Sequence, residues 1–384
     1  MSNITSASTN VSFFKILGTL PDADSLFSVV SPSLDRLAFK NISEEVTESS
    51  TGWVQVNDHN ATDFNSPAFL HIGEYLFLSL RRDTRKVPAA VLKQECVDRE
   101  AAWLQNNPAT KLKRPPKKTR EEIKEAAKLD LLKKTLPVPK VFDAVINTKT
   151  QIVYLLTTST KEVELFTEMF KRTFREGLAL SPLTPWSMCT GGVSRLDADK
   201  LDELNRATTD SYLDLVKSNE WIGEDFLLWL ISGHAEGSVQ GVSAWIDDKV
   251  ILVGSSDSGE LQRVALTGPV GERMATLKSA IKDGKQIAEA TIHMEDNDGN
   301  AYKLTLDGRT FWFKGLKCPT AKMTEEDLTD EMSELQAAML YRVAGITDAI
   351  KYLLQKHLME FMDARLNRWG IVQSNVHDWI EEGA

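Results

Sequence analysis

Cysteine is scarce in this chain. Cys96, Cys189 and Cys318 stand far apart among 384 residues. Odd in number and widely spaced, they define no disulfide framework. They fit a reducing cytoplasm, each expected as a small buried apolar side chain. Histidine is nearly as rare. The six, His59, His71, His234, His293, His357 and His377, have no metal-ligand spacing with one another or with the cysteines. No apolar run approaches the ~20 residues a membrane span needs. The N-terminal MSNITSASTNVSFF lacks a basic region followed by an apolar core, so no signal peptide is expected. GPVGER at 268–273 lacks the Lys-Ser/Thr of a phosphate loop, and there is no G-x-S-x-G elbow. Carboxylate sites assemble in space, so these absences exclude motifs rather than activities. No catalytic residue, metal ligand or cofactor is expected from the residues.

Charge is present, and it is unevenly distributed. The chain carries 45 Lys and Arg against 55 Asp and Glu, a net of −10. Residues 81–140 carry 17 basic against 8 acidic residues, a net of +9. Subtraction leaves 28 basic and 47 acidic residues elsewhere, a net of −19. An acidic chain thus gathers its positive charge into one segment, which points toward a polyanionic ligand. A charge run is also the ordinary composition of a solvated helix face. The detail favours function. Lys111 to Lys118 (KLKRPPKK) holds five basic residues and no acid. Pro115 and Pro116 break any helix there, so the cluster is expected on an exposed turn.

A length of 384 residues suggests two or three domains. Residues 1–10, rich in Ser, Thr and Asn, are expected to be disordered. Val11–Leu17 and His71–Leu80 read as strands, and Gly52–Val54 begins another. Asp24 or Ser25 is a candidate helix cap. Val91–Leu104 has a helical apolar stripe, with Trp103 expected in packing rather than in stacking on a base. Thr119 with Glu122 is a capping-box pattern opening a second helix through Lys134, which Pro137 and Pro139 follow. The result is a helical hairpin with a basic tip.

Lys140–Ile146 and Gln151–Thr157 read as a strand pair. Thr160–Leu178 reads as an amphipathic helix whose Lys171, Arg172 and Arg175 suit its C-terminal dipole. Leu201–Val216 and the apolar Trp221–Ile231 read as helices, then Val239–Val253 and Leu261–Thr267 as strands. Glu272–Ile281 reads as a short helix. Ile287–Met294, Ala301–Leu306 and Thr310–Leu316 form a meander around Asp298-Gly299 and Asp307-Gly308 turns. Glu295–Asn300 lacks EF-hand spacing and reads as a turn. Thr324 with Asp327 opens a helical region reaching Asn367, with a break near Gly345 and an acidic tail beyond it.

The expected fold class is α+β: antiparallel sheets packed by helices, with an inserted helical arm. The expected divisions are 1–10; a central α+β domain of 11–80 plus 141–186; the arm, 81–140; an unassigned region, 187–265; and a C-terminal meander with long helices, 266–384.

Several stretches resemble the bacterial recombination-associated RdgC family. They are FFKIL at 13–17, GWV at 52–54, LFLSLRRDTRKVP with AVLKQ, KLKRPPKKTREEIKE, LLKKTLP at 131–137 and LSPLTP at 180–185. GKQIAEATI at 284–292 and FWFKGLKCP at 311–319 continue the likeness. The resemblance implies a DNA-binding protein without sequence preference, forming a ring-shaped homodimer around duplex DNA and restraining RecA-driven strand exchange. It implies a cytoplasmic, nucleoid-associated protein. The family also carries an exonuclease label. Two departures stand out. The stretch after Pro137, which in the family leads toward a subunit contact, looks shortened, with Phe142 as the candidate aromatic contact. The region 187–265 is longer than in compact members.

The phosphate-facing candidates are Arg81, Arg82, Arg85, Lys86, Lys111, Lys113, Arg114, Lys117, Lys118 and Arg120. Six contacts would give log affinity a slope of about −5 against log salt. The expected partners are double-stranded DNA, a second copy of the chain and, as an antagonist, a RecA-type recombinase; single-stranded DNA is left open. A metal-dependent exonuclease and a scaffold whose basic arm binds an acidic protein are the alternatives. Glu122 and Lys124 have a nuclease-like local pattern, but one common on helices.

Overall fold

The structure, a computed structural model, describes residues 4–21, 23–43, 45–65, 70–174, 177–190, 196–233, 238–255, 261–320 and 333–382. In chain order the elements are β1 (Thr9–Leu17), α1 (Ala23–Arg36), β2 (Ser49–Val54), β3 (His71–Ile72) and β4 (Tyr75–Thr84). Then come α2 (Ala89–Asn106), α3 (Lys117–Lys134), β5 (Val138–Asn147), β6 (Ile152–Leu155), α4 (Thr160–Phe174), β7 (Ala179–Pro182) and α5 (Pro185–Thr190). Next are α6 (Ala198–Leu204), α7 (Tyr212–Ser218), α8 (Trp221–Ile231), β8 (Val242–Ser255), β9 (Leu261–Thr267) and α9 (Met274–Lys282). The meander β10 (Gln286–Asp296), β11 (Ala301–Asp307) and β12 (Phe313–Lys317) precedes α10 (Glu334–Ile350), α11 (Met359–Asn367) and α12 (Trp369–Glu381). The class is α+β with antiparallel strand pairing, as the sequence pattern predicts.

Contacts divide the chain into two compact units. The first comprises residues 27–70 and 78–142; the second comprises 4–26, 71–77 and 143–382 as far as they are described.

In the first unit β4 lies between β2 and β5. Phe39, Val54 and Val141 form a buried cluster, and Trp53 and Leu80 are fully enclosed. Burying each such side chain is worth roughly 1.5–3 kcal/mol. The chain at 37–39 docks on β2 through Phe39 N–H to Trp53 O, 2.9 Å, and Trp53 N–H to Leu37 O, 3.0 Å. Gly52 permits that approach: a Cβ there would meet the Phe39 backbone at 2.4 Å. The glycine of the Gly52-Trp53-Val54 run therefore has a packing cause.

In the second unit the order is β5–β6–β1–β12–β11–β10–β8–β9, with β7 also on β1. One face of β8 and β10 carries α8. Phe226 of α8 meets Phe311 at 5.9 Å and Phe361 of α11 at 5.6 Å. Along β11, Tyr302, Leu304 and Leu306 are buried and alternate with more exposed neighbours, the period of a half-buried strand.

Several expectations are corrected. Residues 4–10 are not loose: Ile4 is fully buried and its N–H donates to buried Asp143 at 2.8 Å. Helix α1 begins at Ala23, which places Asp24 and Ser25 inside it. The capping box at Thr119 is unused, because α3 starts two residues earlier behind Pro116, whose φ of −54° is already set for a helix entry. Leu201–Val216 is two short helices, capped by Asp197 and Ser211. The helix expected to break near Gly345 runs through it. Gly345 serves close packing, since a Cβ would meet the Cys318 Cβ at 2.8 Å. The irregularity lies later, in a π-helical stretch at Lys351–Leu358. Helix α10 is capped by Ser333 and Gln336. Thr324, Asp327, Arg175 and His234 lie outside the described residues.

Candidate nucleic-acid interface

Helices α2 and α3 pack as a hairpin in the first unit, joined by a 3-10 turn at Pro108–Thr110 and the tip residues. The contact is shallow. No residue of α2 is buried, and α3 buries only Ala127 and Leu132. Arg99 ties the helices, bonding Asp130 at 2.9 Å and Glu95 at 2.8 Å. Its guanidinium holds the Asp130 carboxyl below the usual carboxylate range. Lys128 pairs with Glu48, ahead of β2, which anchors the hairpin at its root. Trp103 is half-buried in the packed stripe of α2.

The tip is different. Lys111, Lys113, Arg114, Lys117, Lys118 and Arg120 are all exposed. Among the described residues, Lys117 has a carboxylate neighbour, Glu121 at 3.9 Å, with both side chains largely in water. A pair so exposed and so long holds little energy. No ion pair engages the other five among the described residues. Pro115 is buried between these cations and fixes the turn. Lys111 adopts φ +50°, the left-handed cap of the 3-10 turn. Lys117 and Lys118 occupy the first turn of α3, where the helix dipole disfavours positive charge and no acidic side chain compensates.

The four candidates nearer the sheet divide into two kinds. Arg82 is half-exposed and Lys86 exposed, and no ion pair engages either among the described residues. Arg81 and Arg85 are committed within the first unit. Arg81 makes a two-pronged bridge to Asp83, Nε–Oδ1 2.8 Å and Nη2–Oδ2 2.9 Å, while Asp83 is 1% exposed. It also donates to His59 O and Asn60 Oδ1, and lies 4.4 Å over the Phe39 ring. Arg85, 5% exposed, donates to the carbonyls of Ile42, Ser43 and Glu45. Arg85 holds the loop before β2 against β4 and Arg81 the loop after it, tasks their place in a basic run did not disclose.

Phe142, expected as a subunit contact, is 1% exposed within β5 and belongs to the core. The open apolar side chains beside it are Leu136, 83% exposed, and Val138, 66% exposed. Their signal in the sequence was two aliphatic residues set among Pro137 and Pro139, where no helix or central strand could bury them.

Among the described residues, no group of three or more His, Cys, Asp or Glu side chains is placed to hold a metal ion. No helix there is long and apolar enough to cross a membrane.

Fold and site together define an α+β protein that displays an exposed cationic hairpin tip. Residues 9–190 match the family model described as "Putative exonuclease, RdgC". The match covers just under half of the chain, includes the whole hairpin and supports the resemblance to the RdgC family, a likeness that points to a recombination-related role. No curated protein matches the chain.

Proposed function

We propose that this protein binds double-stranded DNA without sequence preference and modulates homologous recombination. The single observation carrying the reading is the hairpin tip, with its exposed cations and almost no internal counter-charge. Such a surface gains by replacing condensed counterions on phosphates. Its lysines and arginines offer charge without a rigid base-reading element, which favours backbone contact over sequence readout. The acidic remainder of the chain repels the duplex and biases it toward the tip.

Two copies closing around the duplex would add retention without base contacts and would obstruct a RecA-type filament. The exposed Leu136 and Val138 offer an apolar patch for that association, in place of the buried Phe142. Arg82, Lys86 and the tip residues supply the phosphate contacts; Arg81 and Arg85 support the surface from beneath.

Fluorescence anisotropy with unrelated duplexes across a salt series tests the reading. The intact protein should bind all of them alike, with a slope of about −0.9 per phosphate contact. Replacing Lys113, Arg114, Lys117 and Lys118 by Glu should flatten that slope by about 3 to 4 and leave the circular dichroism unchanged. Unaltered affinity would remove the tip from the mechanism. The family description supports a second reading, nucleolytic cleavage. Labelled DNA incubated with Mg²⁺ or Mn²⁺ addresses it: metal-dependent shortening, lost in a carboxylate variant, would establish a nuclease.

A further inference from the structure

The second unit carries an open sheet face of a different chemistry. The face of β8, β10, β11 and β12 opposite the buried side chains bears one cross-strand row. Trp245 on β8 stands opposite His293 on β10, His293 opposite Lys303 on β11, and Lys303 opposite Lys317 on β12. At strand spacing the row is about 14 Å long. Trp245 is 42% exposed. The His293 ring stacks on it, centroids 5.6 Å apart and planes 17° from parallel.

The row is held in place. Strand β8 bulges between its pairings with Ala290 and Ile292, and within the bulge Asp248 adopts φ +66°. That turn brings its carboxylate to His293 Nε2 at 2.7 Å and Lys303 Nζ at 2.6 Å. Both groups hold the Asp248 carboxyl below the usual range, Lys303 the more strongly. Further along the face, Glu289 and Asp307 are engaged by Lys314 at 3.2 and 2.8 Å. Of the acids on this face, Asp248, Glu289 and Asp307 are met by cations and Glu295 is exposed without an ion pair, while no ion pair engages Lys317 among the described residues.

We propose that this row is a second nucleic-acid surface, for single strands: the Trp245–His293 ledge stacks an unpaired base, and Lys317 meets an adjoining phosphate while Lys303 holds the Asp248 bridge. A duplex keeps its bases stacked on one another and offers no free ring face, whereas an unpaired strand does. Stacking on an aromatic ring needs no particular base, and a cation beside it follows the backbone. The Asp248 bridge fixes the imidazole before the ligand arrives, which lowers the ordering cost of binding. The inference rests on the reading of this protein as a nucleic-acid binder only for the class of ligand. Its residues lie outside both the hairpin and the stretch that matches the family.

The test uses the full chain and fluorescence anisotropy with a labelled oligothymidylate and, separately, a labelled duplex. Trp245→Ala should weaken oligothymidylate binding about tenfold, as loss of one stacked base does, and leave duplex affinity unchanged. Trp245→Phe should restore most of the loss. Lys317→Ala should lower the single-strand salt slope by about 0.7, whereas Trp245→Ala should not change it. Oligothymidylate binding indifferent to Trp245→Ala would overturn the proposal, as would an equal loss for duplex and single strand. The four-residue Glu reversal in the hairpin separates the two readings. If it abolishes duplex binding while Trp245→Ala does nothing, the tip stands and the row falls. If only Trp245→Ala acts, the row stands and the tip falls.

Discussion

The Arg81 guanidinium neutralises a carboxylate that water cannot reach, so its loss leaves Asp83 charged and uncompensated. Arg81→Ala should cost roughly 3–5 kcal/mol by urea denaturation, the scale of a broken buried pair. Lys113 carries the same charge on an exposed side chain. Lys113→Ala should cost less than ~0.5 kcal/mol in the same measurement. His357 supplies a pH test. It is fully buried in the π-helical stretch, and its Nδ1 faces the Tyr352 carbonyl at 2.8 Å. Burial pushes its pKa below the ordinary value, with Lys356 adding to the shift and Glu360 opposing it. The unfolded chain therefore binds this proton more readily than the folded one. The contribution is nil well above pH ~6.5, and stability declines as pH falls below that value. Thermal melts from pH 8 to 5 should show the decline, and His357→Gln should remove it.

At the scale of elements, the hairpin joins a weak scaffold to a costly charge arrangement. Its helices bury little against each other, and the first turn of α3 carries two lysines against its dipole. Lys118→Glu should stabilise the hairpin by about 0.3–1 kcal/mol at low salt and weaken duplex binding at the same time. Opposite signs in denaturation and anisotropy would mark charge held for a ligand rather than for folding. The helices themselves were readable from apolar spacing and from the paired prolines. Their starts were less so. Thr119 and Glu122 satisfy the capping pattern, yet α3 starts two residues earlier at Lys117, behind Pro116, and makes it redundant. The strands of the meander were readable for a firmer reason, since period-two alternation and Asp-Gly turns act locally. What faced Trp245 was not readable, because register pairs it with His293 from 48 positions further along the chain.

For the whole molecule, association is the property to measure. Native mass measurements with and without duplex should give a two-copy species. Leu136→Asp with Val138→Asp should reduce it to one copy, with the far-ultraviolet circular dichroism retained. Both side chains are open, so the charges enter water and the fold keeps its core. A two-copy species that survives this change would place the contact elsewhere.

Composition and short-range pattern alone determined the α+β class, the hairpin and the concentration of positive charge, because charge counts, helix periodicity and proline chemistry act over a few neighbouring residues. Tertiary structure decided which cations remain available. Arg81 and Arg85 stand in the same basic run as Lys113, and only the arrival of His59, Asn60 and Phe39 at Arg81 and of the carbonyls at 42–45 at Arg85 removes them from solvent. Burial and pairing depend on what distant segments bring, and that information resides in the folded contacts rather than in any local run of residues.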